Sequence, residues 1–136
     1  MKQEDKQLLL VDLCGRLPYG VKVRTSVGGE IRNDKETLNF AQLSLFEAGH
    51  EDVKPYLFPI SSMTEEQKEE HQDLIKNHYS FDANRNVFTL QDFYNKNHID
   101  YRGLIEKELA YDATGMNIYE LLLLLTHRII LNEKKD

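Results

Sequence analysis

The sequence holds a single cysteine, Cys14, among its 136 residues. One thiol excludes an intrachain disulfide and any zinc site that needs two or more cysteines. No glycine stands in a GxGxxG or GxxxxGK pattern, and Gly28-Gly29 reads as a hairpin turn, so no phosphate-cradling loop is expected. Basic charge is in deficit, with 17 Lys and Arg against 23 Asp and Glu and a formal net charge of −6. An acidic chain is repelled by polyphosphate, which argues against nucleic acid as a partner unless charge is strongly segregated. Long apolar runs are missing too. Leu8 to Leu13 is short, is broken by Asp12 and follows a start of mixed charge, so no signal peptide is expected and the expected compartment is cytoplasmic. The most apolar stretch, Ile118 to Leu131, carries Glu120, His127 and Arg128. As a helix it would span ~21 Å, short of the ~30 Å hydrocarbon core, so no membrane span is expected.

What is present is an ordinary globular composition: 40% apolar, 29% charged, with six Phe and seven Tyr to fill a core. The length fits one domain. Leu10, Leu13, Cys14 and Leu17 fall on one stripe of a helix over residues 3–17, which makes Cys14 a core residue. Pro18 and Gly20 end it. Val21, Val23, Thr25 and Val27 alternate with Lys22, Arg24 and Ser26, the pattern of a half-buried strand that turns at Gly28-Gly29 into a return strand from Glu30. Asn33-Asp34-Lys35 reads as a second polar turn. Residues 37–46 suit either strand or helix, and strand is preferred with a bulge near Ala41-Gln42.

Lys54 to Ile60 must be extended because each proline pushes its predecessor out of the helical region, and the two prolines mark an edge strand or an irregular segment. Thr64 with Gln67 forms a capping box for a helix over residues 65–78, whose poor apolar content places it on the surface. Residues 82–86 read as a polar loop closed by a short strand at Val87-Phe88. Thr89 caps a helix over 90–97, with Phe88 and Phe93 as its hydrophobic staple. Tyr101, Leu104, Ile105 and Leu109 recur at helical spacing behind Asp100 as a cap, and Gly115 ends that segment. The expected class is α+β: a small antiparallel sheet covered by helices, with a hydrophobic C-terminal helix.

Three ordered blocks carry a family likeness. They are Leu13 to Val21, then Lys54 to Leu57 with Ser61 to Glu66, then Asp100 to Ile105. Together they resemble a family of short uncharacterised proteins that recur in anaerobic gut bacteria and their phages and mobile elements. The likeness covers roughly residues 4–119. Phe58 departs from it, standing where the family has a basic residue, and the leucine-rich segment from Glu120 lies outside it. The resemblance implies an accessory or host-interacting protein and brings no catalytic residue.

The polar clusters offer chemistry only weakly. His71 and His78 share a helix face, yet the positions one turn from His71 are Gln67 and Ile75, so the face reads as solvated and no metal site is expected. His98 and Asp100 are the residues of a possible small enzyme, as a proton-transfer pair with Arg102 as anion clamp. A helix junction, with Asp100 as a cap, Arg102 paired with a carboxylate and Tyr101 packed, is the preferred reading, and no catalytic residue or cofactor is assigned. Lys22 and Arg24 project from one strand face and offer a possible basic surface for nucleic acid, the alternative reading. Glu65, Glu66, Glu69, Glu70 and Asp73 oppose Lys68 alone, a possible acidic docking face for a basic partner.

The strongest sequence argument concerns the end of the chain. Residues 1–117 read as one α+β domain and 118–136 as an apolar helix with a polar tail, packed on the domain or in an interface. Ile118, Leu121, Leu122, Leu125 and Ile129 make one stripe, while Leu123, Leu124, Ile130 and Leu131 widen the apolar surface to the opposite side. A domain this small has little material to cover both. The expectation is a small cytosolic interaction or regulatory protein, with a mobile element as the source that the family resemblance implies. Its partner would be another chain: a second copy through this helix in a homodimer, a host protein, or both.

Overall fold

The computed structural model describes residues 1–78 and 89–119, with Asn77 and His78 in backbone only. The chain is α+β. Helix α1 (Gln3–Arg16) leads into strands β1 (Lys22–Val27) and β2 (Glu30–Thr37), followed by α2 (Phe40–Glu47), β3 (Asp52–Pro59) and α3 (Glu65–His78). Helix α4 (Leu90–Lys96) and two short strands, β4 (Ile99–Asp100) and β5 (Tyr111–Asp112), complete the described elements. The sheet runs β2-β1-β3-β4, with β5 also on β3. It is mixed where an antiparallel sheet was expected: β1 pairs antiparallel with β2 and β3, but β4 and β5 join β3 in parallel.

The hairpin turns where the sequence placed it. Gly28 and Gly29 take φ of 58° and 84°, the left-handed pair that a tight turn of the right twist requires. Strand β2 then continues through Asn33-Asp34-Lys35 to Thr37, which corrects the expected second turn. Arg24 on β1 holds Asp34 in line across the ladder with bonds of 3.0 and 3.1 Å, and the left-handed Lys35 (φ 55°) absorbs the irregular register. Strand β3 is internal, not at an edge. Its prolines sit where a missing N–H costs least: Pro55 where pairing passes from β1 to β5, and Pro59 at the last residue.

Residues 40–47 are helix, correcting the preference for strand. Asn39 Oδ1 accepts the Gln42 N–H at 2.8 Å and Gln42 Oε1 accepts the Asn39 N–H at 3.1 Å, a reciprocal cap that settles the ambiguity locally. Leu43 and Phe46 then reach the core while Phe40 stands 74% exposed. The capping boxes of α3 and α4 form as read, at Thr64/Gln67 and Thr89/Asp92. The helical spacing after Asp100 does not produce a helix. Asp100 accepts the N–H groups of Leu104 and Ile105, both at 2.9 Å, and left-handed Gly103 and Glu108 break the path into turns that still bury Leu104 and Leu109.

Helix α1 buries a different face from the expected stripe. Leu9, Asp12, Leu13 and Arg16 point inward, and Cys14 is exposed. An ion pair turns the helix: Arg16 Nε meets Asp12 at 2.7 Å with both side chains 0% exposed, and Arg16 also donates to the Ile99 carbonyl at 2.6 Å. Gly15 lets α1 approach α4 closely, since a Cβ there would lie 3.0 Å from Asn95 Nδ2. The main core joins Leu9 and Leu13 to Val21, Val23, Leu43, Phe46, Val53, Leu57 and Leu104. A second cluster gathers Tyr56, Ala113 and Tyr119, with Phe58, Met116 and Ile118 packed against it. Among the described residues no helix is long and apolar enough to cross a membrane.

Candidate binding cavity

The second cluster forms one wall of a cavity of about 470 Å³, within the ~300–1,000 Å³ range of ligand pockets. Tyr19 and Gly20 border it from the turn after α1, Thr37 from the end of β2 and Phe58 from β3. Ser62, Thr64 and Gln67 contribute from the start of α3, and Lys96, Asn97 and His98 from the end of α4. Tyr119 closes the circuit.

Backbone geometry fixes the aromatic wall. His98 ends the α4 turn in the left-handed conformation (φ 58°), and its carbonyl accepts the Phe58 N–H at 2.8 Å as the first link of the β3–β4 pairing. That conformation lays the imidazole on the Tyr119 ring, 3.7 Å between centroids and 16° from parallel. Phe58 meets the same ring at 5.7 Å. Tyr119 is itself pinned: its hydroxyl donates to the Tyr56 carbonyl at 2.9 Å and accepts the Lys22 N–H at 2.6 Å. Burial raises the Tyr119 phenol well above its ordinary range. Burial, with the charges of Arg16 and Lys22 adding to it, pushes the His98 imidazole down to about 4, so the ring is neutral at pH 7. His98 Nδ1 is buried and has no hydrogen-bond partner among the described residues.

Most other polar groups of the wall are already satisfied within the chain. Gln67 Nε2 donates to Asn97 Oδ1 at 3.2 Å, and Asn97 Nδ2 donates to the Phe93 carbonyl at 3.0 Å, which ties α3 to α4. Ser62 donates to the Pro59 carbonyl at 2.7 Å and Tyr19 to Asp92 at 3.3 Å. A second tie between the helices runs from His71 Nε2 to the Tyr94 hydroxyl at 2.8 Å, with the His71 ring packed on Phe93 and Tyr94. His71 is therefore a packed junction residue, correcting the solvated face expected for it.

The remaining sequence candidates have separate fates. His98 and Asp100 form no pair: Asp100 is spent on the two N–H groups that follow it, and His98 on the aromatic wall. Arg102 faces a carboxylate of the chain itself: its Nε lies 3.2 Å from Asp12 Oδ1, an ion-pair contact without hydrogen-bond geometry. The basic face is likewise engaged. Lys22 Nζ donates to Thr37 Oγ1 at 2.8 Å, and Arg24 grips Asp34 while its guanidinium lies 4.8 Å from the centre of the Tyr111 ring. Arg24, with the Tyr56 hydroxyl assisting, pushes the Asp34 carboxyl down to about 2, and burial followed by that carboxylate pushes Tyr56 up to about 12. Glu65, Glu66, Glu69, Glu70 and Asp73 are all exposed along α3, and Lys68 pairs with Glu65 at 3.2 Å.

Among the described residues no group of three or more His, Cys, Asp or Glu side chains could hold a metal ion. The expected apolar helix (Leu121, Leu122, Leu123, Leu124, Leu125, Ile129 and Ile130), the loop at 82–86 and the Phe88 staple lie outside the described residues. Sequence reasoning missed the cavity and the His98–Tyr119 stack. Tyr119 was legible only as part of an apolar stretch, and nothing in a lone His98 announces a left-handed backbone. No family model, curated protein or solved structure matches the chain.

Proposed function

We propose that this chain is a small, non-catalytic interaction protein that acts by contact with another polypeptide, in the first place a second copy of itself. The observation that carries the reading is how its polar groups are used. Arg24 is bound to Asp34, Lys22 to Thr37, Asp100 to backbone N–H groups, and Asp12 to Arg16. Side chains that would bind phosphate or move protons instead hold the chain together, and burial leaves His98 a weak base at neutral pH. The surplus is apolar. At ~100° per residue, Leu123, Leu124, Ile130 and Leu131 fall opposite Leu121, Leu122, Leu125 and Ile129. A helix apolar on both sides needs two covers, and a two-fold dimer supplies the second by self-complementarity. The acidic face of α3 adds charge that would speed encounter with a basic host partner.

The test is the double substitution Leu123→Glu with Leu124→Glu. It is expected to abolish self-association in sedimentation velocity while leaving the circular dichroism spectrum intact. Unchanged assembly and solubility would refute the reading.

A further inference from the structure

We infer that the cavity binds a small aromatic carboxylate, its rings against Phe58 and Tyr119 and its acid group at Thr37 and Lys22. This goes beyond the contact reading, which gives the cavity no occupant.

Three observations converge. The first is that the wall is in place before anything enters it. The Tyr119 hydroxyl is held by the Lys22 N–H at 2.6 Å and the Tyr56 carbonyl at 2.9 Å, and the Gln67–Asn97 bond fixes the side formed by α3 and α4. A pre-formed apolar wall with a few placed polar groups asks little ordering of a ligand. About 470 Å³ would hold roughly fifteen waters at the ~30 Å³ each takes in the liquid. A fused-ring acid would displace most of them from the aromatic side chains, the favourable direction.

The second is what hydrogen bonding the rim has left to offer. Thr37 Oγ1 serves as an acceptor, for Lys22 Nζ at 2.8 Å, and so keeps its hydroxyl proton to donate. Lys22 Nζ keeps two further N–H donors beside it. Donors with a positive charge among them complement a carboxylate, which accepts on both oxygens.

The third is charge. The chain carries a net −6, yet none of the described lining residues is Asp or Glu, and Lys96 is among them. Arg16 and Lys22 both act to depress the His98 imidazole, and Arg16 acts on the Tyr119 phenol in the same sense. The potential at the aromatic wall is therefore positive. Nearby carboxylates are engaged elsewhere: Asp92 accepts from Tyr19 and Thr89, and Glu65 pairs with Lys68. A cationic ligand would meet like charge here, and a neutral one would gain nothing from it.

Equilibrium dialysis of the full chain against naphthoate tests the inference, with naphthamide and naphthylmethylammonium as neutral and cationic analogues of the same ring. The expected result is saturable binding of naphthoate at or below ~1 mM, about fivefold tighter than the amide, with the ammonium weakest of the three. No saturable binding of naphthoate, or an amide or ammonium bound as tightly, would overturn the inference.

Two further readouts locate the ligand. Lys22→Gln keeps a donor and removes the charge, so it should weaken naphthoate about fivefold and leave naphthamide unchanged. Equal effects on both compounds would overturn the placement of the acid group. Amide NMR shifts on adding naphthoate should centre on Thr37, Phe58 and His98. Shifts confined to α1 or to the Gly28-Gly29 turn would overturn the cavity as the site, whatever light scattering says of the dimer.

Discussion

Replacing Asp12 by alanine breaks a fully buried ion pair. Asp12 and Arg16 have fully buried side chains and meet at 2.7 Å, one turn apart on α1. Arg16 reaches on to the carbonyls of Ile99 at 2.6 Å and Tyr94 at 3.4 Å, so one guanidinium ties α1 to β4 and α4. The substitution leaves that cation in the core without its counter-charge and removes the carboxylate 3.2 Å from Arg102. Breaking a buried pair from one side costs ~3–5 kcal/mol, because the remaining charge is both desolvated and unpaired. With a melting-point shift of ~4 °C per kcal/mol at this chain length, the midpoint should fall by roughly 12–20 °C. Urea unfolding followed by circular dichroism measures the same loss isothermally. Asp12→Leu with Arg16→Met should recover part of it, since an apolar replacement removes both charges. Recovery stays incomplete because the Ile99 and Tyr94 carbonyls lose their donor, at ~1–3 kcal/mol each. A loss below ~1 kcal/mol for Asp12→Ala would refute the claim that this pair orients α1.

Three further outcomes follow from the same structure. The His98 imidazole is depressed to about 4 against an ordinary 6.5, so the unfolded chain binds the extra proton first. Stability should therefore decline as pH falls from 6.5 toward 4 and level off below. His98→Asn, which tolerates the left-handed backbone, should flatten that limb in urea titrations, and an unchanged slope would contradict the assignment. The Asp34 carboxylate, held at about 2, contributes stability that is fully present above about 4 and is lost as pH falls through about 2. Asp34→Asn should remove that acid-limb slope, as measured by thermal midpoints between pH 4 and 2. Asn39→Ala deletes one half of the α2 capping box and should cost ~1 kcal/mol by urea denaturation. A cost near zero would mean that packing of Leu43 and Phe46, not the cap, defines α2.

Legibility in the sequence followed the range of the interaction. The Gly28-Gly29 hairpin and the caps at Thr64 and Thr89 are decided by residues within a few positions of one another, and all three formed as read. Residues 40–47 were open to the same kind of reading, because Asn39 and Gln42 stand at capping-box spacing. Hydrophobic parity hid it. The face of α1 was not legible. Counting charged residues as outward excludes a stripe containing Asp12 and Arg16, and their inward pairing depends on carbonyls more than seventy residues away. The turns after Asp100 kept the helical spacing of Leu104 and Leu109 without a helix, since one carboxylate accepting two N–H groups started a different path. The cavity lay furthest from sequence reasoning. It needs His98 in an uncommon backbone conformation and Tyr119 bonded to a strand pair 63 and 97 residues upstream.

The central claim is that this chain works by contact with another polypeptide, its own copy first. Light scattering coupled to size exclusion, run across micromolar concentrations on the full sequence, tests it most directly. The account predicts twice the 15.9 kDa chain mass, falling to a single chain when Leu123 and Leu124 are both replaced by glutamate. A native chain that stays at 15.9 kDa throughout that range would contradict it.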